Sequence, residues 1–369
     1  MSDLPFVTEF RDPKAAHAMV GRIRALAKQV DEATFMEVCG THTMAIYRHG
    51  IRQLLPSNVR MLSGPGCPVC VTPNDYLDRA IALARQPGFV ITTFGDMMRV
   101  PGSTSSLQRE RATGADVRVV YSTLDALDMA RREPERQVVF LGVGFETTAP
   151  TVAAAVLSAA SGGVANFSVL SAAKVIPPAL QTLVSDDRLR LHGFLCPGHV
   201  SVVLGTAPYE PLARDHHLPC VVAGFEALDV LQGLMMLLEQ RVAGEARVEI
   251  AYRRVVVAEG NPVARSLLDR VFEPCDSNWR GIGVLPGSGL AIREEYGAHD
   301  AARFEVEVEP TRENPGCACG DILRGIKTPF DCKLFGKVCT PEQPHGACMV
   351  SSEGTCAAAF RYGREEAIG

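Results

Sequence analysis

The sequence predicts an α/β protein: two parallel-sheet α/β domains facing a cleft, followed by a cysteine-rich module at the C-terminus. Three observations carry this. Short apolar runs ending in glycine or polar turns alternate with amphipathic stretches, the signature of βαβ units and parallel sheets. The charged segment RREPERQ at 131–137 interrupts that alternation, which restarts after it. Beyond Val308 the composition changes, and Cys317, Cys319, Cys332, Cys339, Cys348 and Cys356 crowd into a tail rich in glycine and proline.

Taken in order, the strands are expected at TFMEVC (34–39), VRMLS (59–63), GFVITTF (88–94), VRVVYS (117–122), QVVFLGV (137–143), NFSVLSA (166–172), LHGFLC (191–196), PCVVAGF (219–225) and RVVVAEG (254–260). Between them lie helical patterns. In TPNDYLDRAIALARQ, Thr72 suits a cap and Pro73 the first helical position. ALDVLQGLMMLLEQRV reads as a long apolar helix in which Met235 and Met236 fill core space. The division that follows is 1–130 for the first α/β domain, 131–245 for the second, and 246–369 for the C-terminal region. No repeat of fixed period is present.

Composition narrows the function classes. The chain has 369 residues, 47% of them hydrophobic and 21% charged, the make-up of an ordinary globular protein. A formal net charge of -5 gives no long-range attraction for nucleic acid or anionic lipid. The N-terminus lacks the pattern of a secretory signal, and no run of about 18 apolar residues spans a membrane. The cytoplasm is therefore the expected compartment, where reductants keep thiols from forming structural disulfides. With 12 cysteines in such a chain, metal or redox chemistry is the expectation. The sequon Asn166-Phe167-Ser168 then carries no meaning.

Cysteine placement sharpens this. Cys319, Cys332, Cys339 and Cys356 are separated by 12, 6 and 16 residues, with Cys317 and Cys348 as alternatives. Zinc ribbons show tight paired knuckles, and this tail has none, whereas four widely spaced thiolates suit an iron-sulfur cluster. Cys39 ends a strand before Gly40 and a helix start, where the free N–H groups and helix dipole favour a thiolate. A buried packing cysteine is the competing reading, and His42 nearby reads as a hydrogen-bonding partner. Cys67 and Cys70, in LSGPGCPVC, follow the next strand and so share a carboxyl sheet edge with Cys39, the edge where ligands bind in open α/β sheets. A redox disulfide, half of a zinc site and thiolates for another metal all fit the pair alone; a third thiol at Cys39 adds weight to a soft metal with open positions.

Other motifs are weaker. GDILRGIKT (320–328) lacks the spacing and frame of a phosphate loop. GVGFETTAP (142–150) lacks the third glycine of a dinucleotide fingerprint, leaving Glu146, Thr147 and Thr148 either as a capped turn or as the lining of a small polar or anionic ligand. Lys174 and His199 are expected on the second domain's ligand edge, with Cys196 a strand-end cysteine beside them. No common hydrolase or radical-enzyme motif is present.

EVCGTHT, SGPGCPVC, GFETTAP, GFLCPGHVS and the tail from CGDILRGIKTPFDCKLFGKVC to EGTCAA together resemble the hydrogenase maturation protein HypD family over nearly the whole chain. The resemblance implies a scaffold on which the iron of [NiFe] hydrogenase acquires cyanide and carbonyl ligands as an Fe(CN)2CO unit. It implies a small chaperone partner, HypC, and a cyanide-donating partner, HypE. It implies iron-handling or redox roles for Cys39, Cys67 and Cys70, and a [4Fe-4S] module in the C-terminal cysteines. A thiol-disulfide oxidoreductase using Cys67 and Cys70 without iron is the alternative.

Overall fold

The strands of the computed structural model, which describes residue 10 and residues 12–363, are β1 (Ala33–Glu37), β2 (Val59–Ser63), β3 (Phe89–Thr93), β4 (Val117–Val119), β5 (Gln137–Gly144), β6 (Phe167–Ala173), β7 (Phe194–Pro197), β8 (Cys220–Ala223), β9 (Val248–Ile250), β10 (Phe272–Trp279) and β11 (Gly283–Ile292). Two parallel sheets result, ordered β2-β1-β7-β8-β9 and β4-β3-β5-β6. Central strands such as β5 and β8 are covered on both faces, so they read as unbroken apolar runs rather than alternating ones.

The two sheets do not follow the 1–130 and 131–245 division. β3 pairs with β5, so strands from either side of residue 130 share one sheet, while β1 pairs with β7 in the other. RREPERQ is the turn between the helix Thr123–Arg132 and β5, where Arg118, Arg136, Asp116 and Glu133 form an ion-pair cluster. A βα turn and an interdomain linker have the same polar composition, which is why the segment reads as a boundary.

The last expected strand also differs. RVVVAEG is a turn-rich segment, and the edge strand is Val248–Ile250 instead. Val255 and Val257 point outward, and Arg254 leaves the sheet to clamp the buried Asp229 at 2.7 and 2.5 Å. Asp229 in turn belongs to a capping box with Glu226 that starts the helix Ala227–Ala243, ended by Gly244 at φ 68.

The antiparallel hairpin β10–β11 has no counterpart in the sequence pattern, because Pro274, Pro286 and a bulge between Cys275 and Ser277 break its alternation. It joins the parts: Trp279 is fully buried, stacks at 5.9 Å on Phe145 and donates its Nε1–H to Ser288. One apolar cluster contains Met36, Val38, Cys67 and Cys70 from one sheet, Phe145 and Ile176 from the other, Trp279, and Cys319, Cys332, Cys339, Cys348 and Cys356 from the tail. The cysteines thus lie where the structural parts converge.

Candidate functional site

Two adjacent strands deliver three thiols to one edge. Cys39 leaves β1 with extended backbone and N-caps the helix Gly40–Arg48. Beyond β2, the loop through Gly64 and Gly66 runs directly against it: Gly64 N–H donates to Glu37 O at 2.8 Å, and Gly40 N–H to Gly66 O at 2.9 Å. A Cβ on Gly66 would lie 2.2 Å from Cys39 N, so only glycine permits this approach. Cys67 then N-caps the short helix Pro68–Val71, its Sγ accepting from Cys70 N–H at 3.3 Å. All three cysteines are buried.

β1 and β7 lie side by side where the strand order reverses, the switch point at which open α/β sheets bind ligands. His199, after β7, stacks on Phe225 after β8 at 3.9 Å, and Tyr252 meets Phe225 edge-on. His42 is fully buried with Nε2 2.9 Å from Gly224 O. A carbonyl only accepts, so Nε2 carries the proton and Nδ1, which has no partner among the described residues, offers a lone pair. Burial holds the His42 ring neutral, pushing its pKa down to about 4. His42 is therefore a hydrogen-bonded core residue of the site rather than a surface base.

Charge around Cys39 runs opposite to the sequence expectation. Burial, followed by the Glu353 carboxylate, pushes the Cys39 thiol up to about 12, against the backbone N–H groups of His42 and Thr41. Desolvation outweighs the helix N-terminus here. Glu353 is held by Thr41 Oγ1–H at 2.7 Å. Beneath the cysteine, Glu37 is wholly buried, accepts from Cys39 N–H at 3.1 Å and from Thr43 Oγ1–H at 2.5 Å, and is raised to about 7, mainly by burial. Glu37 and Glu353 open EVCGTHT and EGTCAA, but nothing local marks either as a neighbour of Cys39; Glu353 comes from the tail, more than 300 residues away.

The tail thiols connect to the pair. Cys70 lies near enough to Cys348 for each thiol to act on the other's ionisation, as Cys356 does too, and Cys348 lies 2.9 Å, Sγ to Sγ, from Cys319. The Cys319 contact is the strongest influence on the Cys348 thiol and pulls it down; Cys356 and burial act against it and carry it up to about 11. Cys67, Cys70, Cys348 and Cys319 therefore form a row. Cys317 lies beside Cys319, and Cys339 senses Cys317 and Cys332. His345 N–H donates to Cys339 Sγ at 3.3 Å, and a Cβ on Gly346 would fall 2.7 Å from Cys317 Sγ. Backbone donors to sulfur and a bare glycine wall are the surroundings an iron-sulfur cluster needs. No group of three or more Cys, His, Asp or Glu among the described residues stands at single-ion spacing. A cubane spreads its cysteines farther apart than one ion does.

The remaining sequence candidates lie elsewhere. Lys174 is 1% exposed and ties β6 to the hairpin, donating to Ser277 Oγ and Asn278 O, both at 2.7 Å; burial lowers it to about 8. Cys196 is buried core beside Cys220. Thr147 is exposed at its turn. Glu146 is buried, with Oε1 accepting from Ile176 N–H at 2.9 Å and Oε2 unpartnered; burial pushes it up to about 7 from 4.5. Because the folded value is the higher one, its contribution is full below about pH 4.5 and is lost as pH rises through 7, on the order of 3 kcal/mol. Glu146→Gln should therefore gain thermal stability relative to the parent between pH 5 and pH 8, in paired melts; parallel pH profiles would show that Glu146 is not the group responsible.

The family model HypD, described as "Hydrogenase formation hypA family", matches residues 14–363. The chain belongs to the HypD family. It is 48% identical to the hydrogenase maturation factor HypD of Rhizobium leguminosarum bv. viciae, over 98% of this chain and 96% of that one. It is 47% identical to the hydrogenase maturation factor HypD of Cupriavidus necator and 48% identical to that of Azotobacter vinelandii, each over 98% of both chains. Among the described residues of this HypD-family chain, no helix is long and apolar enough to cross a membrane.

Proposed function

We propose that this chain holds the iron of a [NiFe] hydrogenase centre, as cargo, while it acquires cyanide and carbon monoxide, and keeps the receiving thiols reduced through its own row of cysteines. The observation that carries the reading is that row: Cys39 against the Cys67–Cys70 loop, and Cys70 joined through Cys348 to Cys319. Cyanide and carbon monoxide are strong-field ligands that demand low-spin ferrous iron, and soft thiolates suit it. Cys39, Cys67 and Cys70 are its assigned ligands. Further donors come from a small chaperone such as HypC, and a partner such as HypE brings cyanide; both partners rest on the family resemblance.

Cys317, Cys332, Cys339 and Cys356 would hold a [4Fe-4S] cluster, which supplies single electrons when bound. Cys317 takes the position expected of Cys319 because Cys319 is paired with Cys348. That pairing gives a balanced exchange. The Cys348 thiolate attacks Cys70 Sγ of a Cys67–Cys70 disulfide and releases Cys67; Cys319 then attacks Cys348 Sγ and releases Cys70. Two electrons move inward, and the disulfide moves to Cys319–Cys348. Cys348→Ser should leave Cys67–Cys70 oxidised under reductant that clears it in the parent chain, as read by differential alkylation; equal clearance in both would break the row as a relay.

A second reading, a thiol-disulfide oxidoreductase that never binds iron, is favoured by the lack of donors at single-ion spacing. Infrared spectra of the anaerobically isolated chain decide between them. Metal-bound cyanide and carbonyl bands are expected, and their absence would leave only the oxidoreductase.

A further inference from the structure

A cavity of about 960 Å³ opens beside the Cys319 end of the cysteine row, between the segment 99–112 and the tail. Its volume falls in the range of small-molecule sites. Cys317 and Cys319 form part of its wall. The cavity shares Cys317, His345 and Gly346 with the surroundings of the proposed cluster, and the rest of its lining has no task in the mechanism. Two buried polar groups on it lack a full set of partners among the described residues. Arg280, 6% exposed, donates Nε–H to Thr72 O at 2.9 Å but has no partner for Nη2. Asn74, 5% exposed, donates Nδ2–H to Arg312 O at 2.7 Å and leaves Oδ1 unpaired. An unpaired buried guanidinium is costly, so Arg280, itself on the cavity wall, is the group best suited to take an anionic ligand there.

The lining sets its charge. Arg99, Arg109, Arg280 and Arg312 face Glu313 and Glu342, a positive balance in a chain whose net charge is -5. Arg99 is partly occupied, donating to Pro341 O and Val350 O, whereas the Arg109 and Arg312 side chains are exposed at the rim. The Arg280 guanidinium acts electrostatically on both Cys317 and Cys319. An arginine fork in a partly enclosed site recognises a carboxylate, and a disulfide in the wall reacts with a thiolate.

We propose that this cavity binds a small carboxylate-bearing thiol, which reduces a Cys319–Cys348 disulfide and so resets the relay. This rests on the relay reading above. The step balances. The entering thiolate bonds to Cys319 Sγ, the sulfur on the cavity wall; the bond to Cys348 breaks and Cys348 departs as a thiolate. A second thiol attacks the mixed disulfide and leaves as the small-molecule disulfide. Two thiols lose two electrons and two protons, and Cys319 and Cys348 gain them. The carboxylate, on Arg280, holds the attacking sulfur toward Cys319.

The test uses the full-length chain, anaerobically isolated and mildly oxidised, with the Cys319–Cys348 bond checked by mass spectrometry. Its reduction is timed with 3-mercaptopropionate, 2-mercaptoethanol and cysteamine, thiols of similar size and different charge, at equal thiolate concentration. The expected result is a preference of about tenfold or more for the carboxylate thiol over the neutral one, lost at high salt. Arg280→Gln, and Arg109→Gln at the rim in case the buried change impairs folding, should each shrink that preference while leaving the 2-mercaptoethanol rate in place. Rates that follow thiol basicity alone, with no charge preference, would overturn the cavity proposal and leave the relay intact. Failure of Cys319 and Cys348 to form a bond at all would overturn the relay and this proposal with it.

Discussion

Cys39→Ala should abolish the metal-bound cyanide and carbonyl infrared bands of the anaerobically isolated chain while changing its unfolding free energy by only about 1 kcal/mol. The two halves of this expectation come from different atoms. What Cys39 does for the fold, it does through its backbone: its N–H donates to Glu37, its C=O accepts from Thr43 N–H at 3.0 Å, and Gly66 packs on its main chain. Alanine retains all of these. The sulfur adds little to the cap: the backbone N–H groups of Thr41 and His42 face it, but it forms no capping hydrogen bond of ordinary geometry. Burial together with the Glu353 carboxylate makes an unbound thiolate there unfavourable, so the position suits a sulfur that ionises only when a cation arrives. If bands persisted at full strength with unchanged stability, Cys39 would not be an iron ligand. A large loss of stability would instead show that its sulfur is part of the core.

How far the sequence could be read depended on how local the information was. The parallel strands were legible because each is a short apolar run closed by glycine or a polar turn, and Cys39 and Cys67 follow from that pattern once β1 and β2 are placed. Strand order was not legible. RREPERQ looks the same as a βα turn or a linker, and nothing in it says that β3 pairs with β5. The hairpin was hidden because Pro274 and Pro286 lie inside its strands and its buried positions do not alternate. Electrostatics misled at Cys39 because the helix start is visible in a sequence and burial is not. Glu353, Arg280 and the Cys70–Cys348 contact were beyond reach, since each joins segments hundreds of residues apart, two of them through the tail and Arg280 through the turn of the hairpin. The thiol inventory was thus available at the outset, but its connectivity belongs to the tertiary structure.

Gly66→Ala should cost about 3 kcal/mol and separate the Cys67–Cys70 loop from Cys39. Most overpacking is relieved by a side chain turning aside, but here the added methyl would meet Cys39 N at 2.2 Å, Cys39 Cα at 2.4 Å and Val38 C at 2.5 Å, all backbone. That backbone is held by β1 on one side and by the helix Gly40–Arg48 on the other, so the loop must move. Its displacement strains the Gly40–Gly66 hydrogen bond and the seat of Cys70 on Cys348 together. The expected observations are a lower urea midpoint, faster alkylation of Cys67 and Cys70, and loss of the cyanide and carbonyl bands with Cys39 itself unchanged. Gly21→Ala is the matching control. Gly21 lies within the helix Pro13–Ala27 with no atom within 4 Å of an added Cβ, so the same change should raise stability by about 0.5 to 1 kcal/mol. Opposite signs for one substitution at two glycines would tie the effect at Gly66 to its contact with Cys39, because chain entropy favours alanine at both positions and only at Gly66 does the added methyl meet backbone. If Gly66→Ala were neutral, the two loops would not be held in contact, and the shared site of Cys39, Cys67 and Cys70 would lose its physical basis.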